Sequence, residues 1–403
     1  MVPPDRGKER NGCHFRLTRT HPDMRTQPLA PTVTSPYQIR LEPLPPLDEL
    51  AVRWRELERR SRCSFFISWR WIGPWLALIS PLRHARLLSV SQGKRTVALG
   101  IFTQRRRFFG LGPLHLRLHE VGDKVLDSLT IEYNGLICED GHEREALAAV
   151  LDHLAHSDKR WLTLYLPGMT ADDVPFESIR SLGMAMRSRK RAAHYVDLAE
   201  LRDNGNDYLP TVLSSKARGA VRRTARKLQA GFGELCVVIA VSIEEKLAFF
   251  RAMVQLHESH WSEEEQDRGA FGNPRILRFH ERLIAQSGDG EGAQLIRVNA
   301  GDHTVGYVYN LAWRDTMYFY QAGIDYRRFG SSGSPGLLLL TRAVEHALGS
   351  GMARFELMAG DSAYKRTLGM AENKMVWLSL DRSGWASSLR RAWWRLKGEA
   401  QEP

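Results

Sequence analysis

The chain has 403 residues, 43% of them hydrophobic and 26% charged, and carries a formal net charge of +11. A chain this long usually exceeds one hydrophobic core, so two domains are expected, and the composition excludes a wholly disordered chain, a collagen and a multi-span membrane protein. The apolar run at 71–82 is too short to span a bilayer and is broken by Gly73, Pro74 and Pro81, so no transmembrane segment is expected.

The first ten residues, MVPPDRGKER, contain no apolar stretch, so no secretion signal is expected. Cys13, Cys63, Cys138 and Cys236 form no CxxC pair and no metal-ligand spacing. Free thiols in a reducing cytoplasm, with no bound metal, are the expectation. The positive charge is local. Residues 1–46 contribute +3, residues 214–230 contribute +6 and residues 386–403 contribute +2, which leaves the rest neutral.

Residues 1–46 hold nine of the 18 prolines and show no apolar periodicity, which predicts a disordered basic arm. In the next unit, 47–200, strands are predicted at 86–91 and 96–104 around a QGK turn. A stretch rich in Gly and Leu follows, then a helix at 143–156 and strands at 161–166 and 193–198. A second unit, 201–385, opens with the basic segment 214–230. It continues with strands at 294–300, 305–313 and 317–324. The loop RRFGSSGSPG leads into a helix ended by Gly349 and Gly351, and strands follow at 353–359 and 374–380. Residues 386–403 form a short basic tail with Trp393 and Trp394, suited to packing on the body of the protein or to resting on an anionic membrane surface.

Both units read β-β-β-α-β-α-β. Arg180-Ser-Leu-Gly-Met184 also matches Arg366-Thr-Leu-Gly-Met370 at equivalent places before the last strand. Duplication of one unit accounts for both observations better than two unrelated α/β halves do.

The dense motifs are Leu213-Ser-Ser-Lys-Ala-Arg218, Leu256-His-x-x-x-Trp261, Arg278-Phe-His280, Tyr320-Gln-Ala-Gly323, Ser334-Pro-Gly-Leu337 and Gly360-Asp-x-x-Tyr-Lys365. With the element order they resemble the GNAT acyltransferases over residues 47–382. Two such units in tandem resemble the FemAB-like branch, and within it the CelD type associated with cellulose and exopolysaccharide synthesis. The resemblance implies an α/β fold of two tandem GNAT-like domains, acetyl-CoA or another acyl-CoA as co-substrate, and transfer to an amine or hydroxyl of a glycan precursor or small molecule. It departs from the family at the phosphate loop: the usual Q/R-x-x-G-x-G/A is replaced by RRFGSSGSPG.

Ser334-Pro335-Gly336 has the chemistry of a helix start, whose free N–H groups and positive dipole end make an anion site. In a GNAT-like unit that anion is the CoA pyrophosphate. Gln321, Gly323, Arg327, Arg328, Ser334, Gly336 and Leu337 are the candidate cofactor-binding residues. The N-terminal unit has no such turn before its helix, so only the second unit is expected to bind CoA. Tyr364 stands where GNAT enzymes often hold the acid that protonates the leaving thiolate, with Asp361 and His257 as candidate bases. Asp361 reads equally as the cap of a short helix. Trp261 and Lys365 are candidate acceptor contacts, although His257 and Trp261 four apart also fit a structural pair, and His280 is a weaker candidate base.

Ala217, Val221, Thr224 and Leu228 form a narrow apolar stripe on a predicted helix, and Arg218, Arg222 and Arg226 repeat every four residues on another face. Such a face suits phosphate, whether of CoA, a sugar nucleotide or tRNA, and suits equally a solvated linker helix. Two other readings stay open: a FemAB-like transferase using aminoacyl-tRNA, and a non-catalytic scaffold of a synthase complex. The sequence leaves the acceptor and the oligomeric state open.

Overall fold

The strands follow the alternating and all-apolar runs of the sequence, and the helices follow its 3.6-residue stripes. The computed structural model describes residues 35–382 other than 82–83, 107–112, 130, 158–159, 261–270 and 289. The first half comprises β1 (Tyr37–Pro43), α1 (Leu47–Glu58), α2 (Trp69–Leu78), β2 (Ala85–Gln92), β3 (Arg95–Arg106), β4 (Leu114–Leu118), β5 (Ile137–Cys138), α3 (Glu143–Ser157), β6 (Trp161–Thr170), α4 (Phe176–Ser181) and β7 (Ala185–Asp197). The second opens with α5 (Leu198–Asp203), α6 (Tyr208–Val212), α7 (Ser215–Phe232), β8 (Leu235–Ile239), α8 (Ile243–His260) and α9 (Pro274–Ala285). It continues with β9 (Gly292–Ala300), β10 (His303–Trp313), β11 (Thr316–Ile324), α10 (Tyr326–Phe329), α11 (Pro335–Gly349), β12 (Arg354–Ala359), α12 (Ala363–Leu368) and β13 (Ala371–Asp381).

These strands make one mixed sheet in the order β1-β2-β3-β4-β6-β13-β7-β12-β11-β10-β9-β8, with β5 paired to β3. The order shows an exchange. β13, the last strand of the second half, inserts between β6 and β7 of the first, and β7 pairs with β12 of the second. The two units expected at 47–200 and 201–385 are therefore halves of a continuous sheet, each closed by the other's final strand. One core cluster crosses the boundary: Trp54, Phe66 and Trp71 of the first half pack with Phe279, Leu311 and Tyr318 of the second. Two further clusters lie under α3 and α11, one in each half.

Two expectations change. The arm predicted at 1–46 is not irregular throughout, because residues 37–43 form β1, antiparallel to β2 with Ile39 opposite Val90. Tyr37, Ile39 and Leu41 alternate onto the first-half core, a pattern masked in the sequence by flanking prolines. Residues 1–34 lie outside the described residues, as does the basic tail at 386–403. The strand predicted at 193–198 begins at Ala185 and runs through Arg187, Arg189, Lys190 and Arg191. Charged residues are depleted in strands, but here Arg189 and Arg191 cover the Trp377 ring of β13 at 5.0 and 5.7 Å. Long cationic side chains can cover apolar surface while keeping their charge in water.

The apolar run at 71–82 forms most of α2, with Trp71, Ile72, Trp75 and Leu76 buried. No helix among the described residues is long and apolar enough to cross a membrane. Cys63 and Cys138 are buried free thiols, Cys236 is an exposed one, and Cys13 lies outside the described residues.

Candidate functional site

The site is built where β11 and β12 part. The two strands pair in parallel only from Thr316↔Arg354 to Tyr318↔Glu356. Beyond that point a bulge in β11 changes its register with β10, which steps from Phe319↔Asn310 to Gln321↔Tyr309 and leaves Tyr320 as the extra residue. β12 is irregular too: Met358 has φ +64°, and the pairing with β7 skips from Glu356 to Ala359. The sheet opens there into a cleft of about 540 Å³.

β11 contributes Phe319, Gln321, Ala322 and Ile324 to the cleft, and α8 contributes Leu256 and His257. The start of α11 contributes Ser334, Pro335, Gly336 and Leu337, and Tyr326, Ala363, Tyr364 and Thr367 line it as well. Six sequence-predicted residues meet in this cleft: His257, Gln321, Ser334, Gly336, Leu337 and Tyr364. Phe319, Tyr326 and Thr367 were not anticipated. Phe319 stands one residue before the Tyr320-Gln-Ala-Gly323 motif and was hidden by reading that motif as the whole of the strand's contribution.

α11 begins with Pro335, which has no N–H to leave unpaired. Its first helical bond runs from Leu338 N–H to the Ser334 carbonyl at 3.1 Å. The Ser334 N–H is taken by the Thr224 hydroxyl of α7 at 3.0 Å, so the basic helix is tied to the turn. Gly336 and Leu337 N–H have no acceptor among the described residues. They sit at the positive end of the helix dipole, where an anion is favoured.

Tyr364 packs its ring edge-to-face against Phe319 at 6.5 Å. Burial raises the pKa of its hydroxyl above the ordinary tyrosine value, and the nearby Glu132 carboxylate adds to the rise. The group stays protonated at neutral pH and can donate. His257 lines the cleft, half-buried, with its ring 5.6 Å from Phe271.

The other predicted residues stand elsewhere. Gly323 meets α8 so closely that a Cβ would lie 2.2 Å from the Met253 carbonyl oxygen, so its smallness serves packing. Arg328 donates to His303 Nδ1 at 2.9 Å, and Arg327 is exposed on the same short helix. Asp361 is exposed and ion-paired with Arg366. Lys365 is buried, donating to the Met358 carbonyl at 3.1 Å and the Ala359 carbonyl at 2.7 Å. Arg218 donates to the Pro210 and Leu213 carbonyls, and Arg222 is exposed on α7. Trp261 lies outside the described residues. His280 is fully buried among Phe250, Phe271, Phe279 and Tyr309, and burial pushes its pKa down to about 3, which keeps it neutral.

In the first half the equivalent opening, between β4 and β6, is bridged. The Asn134 amide donates to the Leu118 carbonyl at 3.4 Å and the Pro167 carbonyl at 2.9 Å. Its oxygen meets buried His119 Nδ1 at 2.8 Å. Gly168, at φ +58°, lets this loop approach: a Cβ there would stand 2.4 Å from the Ile131 carbonyl oxygen.

Residues 215–366 match the family described as an acetyltransferase (GNAT) domain. Among solved structures, FemX is similar with a TM-score of 0.53 at 11% identity, covering 84% of this chain and 96% of that one. A conserved protein of unknown function from Bacteroides thetaiotaomicron VPI-5482 is similar with a TM-score of 0.51 at 10% identity, covering 86% of this chain and all of that one. No curated protein matches the chain in sequence. Residues 215–366 are thus similar to a GNAT acetyltransferase domain, and the fold over both halves is similar to that of FemX.

Proposed function

We propose that the protein transfers an acyl group, acetyl in the simplest case, from acyl-CoA directly to an amine or hydroxyl of a sugar or polysaccharide precursor. The observation that carries this reading is the cleft at the β11–β12 parting. It holds a protonated tyrosine, a histidine and, at a helix start, two N–H groups with no acceptor among the described residues. Bound acyl-CoA would supply the activated thioester. The Gly336 and Leu337 N–H groups suit its pyrophosphate. Tyr364 Oη is the proton donor to the departing sulfur, and His257 is the candidate to take the acceptor's proton. Asn134 fills the corresponding space in the first half, which supports CoA binding by the second half alone. The acceptor class rests on the CelD-type resemblance of the motifs.

Mass spectrometry of the purified protein for co-purifying CoA species, with isothermal titration of acetyl-CoA, tests the reading. Absence of both bound CoA and binding heat overturns it and leaves the scaffold.

One observation favours a second reading. α7 carries exposed Arg222, Arg223, Arg226 and Lys227 beside the cleft's turn, tied to it through Thr224. That face suits the phosphates of an aminoacyl-tRNA donor, which the FemAB-like resemblance implies. Such binding weakens steeply with salt. Failure to shift tRNA in a low-salt gel dismisses it.

A further inference from the structure

Glu132 belongs to the first half, yet its carboxylate reaches β12 of the second half and its charge is felt by the cleft residue Tyr364. It is 4% exposed, and its Oε2 accepts the Ala359 N–H. Burying a carboxylate is costly unless it is paired and hydrogen-bonded. Here the same short stretch of β12 is gripped twice: the carboxylate takes the N–H of Ala359, while the Lys365 ammonium takes the carbonyls of Met358 and Ala359. This is the stretch that has left β11, and Met358 within it holds its left-handed φ of +64°. A non-glycine residue keeps such a conformation only when its surroundings fix it.

We propose that Glu132 is a positioning residue of the acyl cleft: the first half uses it, against Lys365, to hold the parted end of β12 in place. The loop whose Asn134 fills the first half's own opening thus serves the second half's opening through its neighbour Glu132. The assignment of a function to this clamp rests on reading the cleft as the transfer site; the clamp itself does not.

The charges around the pair set the test. Lys365 faces Glu132, whose charge favours the ammonium, and Arg191, whose charge opposes it, while burial lowers its pKa. Glu132 in turn faces Lys365 and Arg191, and its charge is felt by Tyr320, Tyr364 and Glu356. Removing the carboxylate charge therefore lowers the Lys365 pKa further. The Glu132→Gln variant keeps the size and the acceptor for Ala359 but loses the charge, whereas Glu132→Ala loses both.

Lysine ¹³Cε NMR on the full chain, with Lys365→Met used for assignment, reads the titration directly. We expect the Lys365 midpoint to fall in Glu132→Gln. Amide exchange at Ala359 should stay slow in that variant and speed up in Glu132→Ala. Acetyl-CoA affinity in Glu132→Gln should be lost at a lower pH on the alkaline side than in the wild type. An unshifted Lys365 midpoint overturns the clamp, because a hydrogen bond alone is restored by glutamine. If Glu132→Gln does not fold, Lys365→Met reports the coupling from the other side: the Glu132 carboxyl must then titrate higher than in the wild type, and an unchanged value overturns the proposal. A shifted Lys365 in a protein that binds no acetyl-CoA leaves the clamp standing and removes the proposed donor.

Discussion

Gly336→Trp tests the placement of the donor. An ideal Cβ at this position lies 3.0 Å from the Tyr326 hydroxyl oxygen and 3.1 Å from Ile324 Cδ1. Even a methyl group must therefore push two cleft-lining side chains back by a few tenths of an ångström. An indole has to enter the 540 Å³ cleft itself or displace Tyr326. Either way it covers the N–H groups of residues 336 and 337. A hydrogen bond to a charged group contributes about 1.5–3 kcal/mol, so losing two costs at least about 3 kcal/mol. At about 1.4 kcal/mol per tenfold in Kd, acetyl-CoA binding should weaken by more than roughly 100-fold. Titration calorimetry at fixed salt measures this, with circular dichroism and Tm as controls for folding. Gly336→Ala should lose much less. A wild-type Kd in a folded Gly336→Trp protein refutes the reasoning and moves the phosphates away from α11.

Tyr364→Phe keeps the ring against Phe319 and removes only the hydroxyl. It should lower kcat about 10²–10⁴-fold with little change in the acetyl-CoA KM, as followed by thiol release; an undiminished kcat rules out a rate-limiting proton donation from this residue. Deleting residues 1–34 should leave Tm unchanged, whereas deleting 1–46 removes β1. Tyr37, Ile39 and Leu41 are half-buried on the first-half core, and at about 1 kcal/mol each the loss is roughly 3 kcal/mol in denaturant unfolding. Equal stability of the two truncations contradicts the pairing of β1 with β2.

The legible part of the fold was the part written locally. β9–β11, α11 and β12 announce themselves by aromatic and branched runs ended by glycines, and the helix start at Ser334-Pro335-Gly336 is a local signal too. β1 and the basic half of β7 escaped because prolines in one case and arginines in the other outweigh the alternation. The exchange of β7 and β13 is invisible locally, since either strand would pair as well within its own half. The cleft shows the same division. Gln321, Ser334, Gly336 and Tyr364 sit in motifs adjoining one strand and one helix. Glu132 is a lone acid between Ile131 and Tyr133, and nothing near it in the chain points to a strand more than two hundred residues away. Lys365 and Asp361 sit in the same motif as Tyr364, but the turn of α12 directs them differently. One is buried under the β12 carbonyls and the other is exposed beside Arg366.

The crossed-over strands also bear on how the chain is made. Asp381 pairs with Thr163 and Met375 with Arg191, so the first half's sheet contains a slot whose occupant is synthesised after every other described strand. During translation β6 and β7 must wait with unpaired edges, and such edges are templates for wrong partners. The pairing that closes them joins residues about half the chain apart, and contacts of that range slow folding. A stop codon shortly before residue 371 would leave the second half's helices and most of its strands in place. The first damage would appear in the other half of the sequence, as an open groove between β6 and β7.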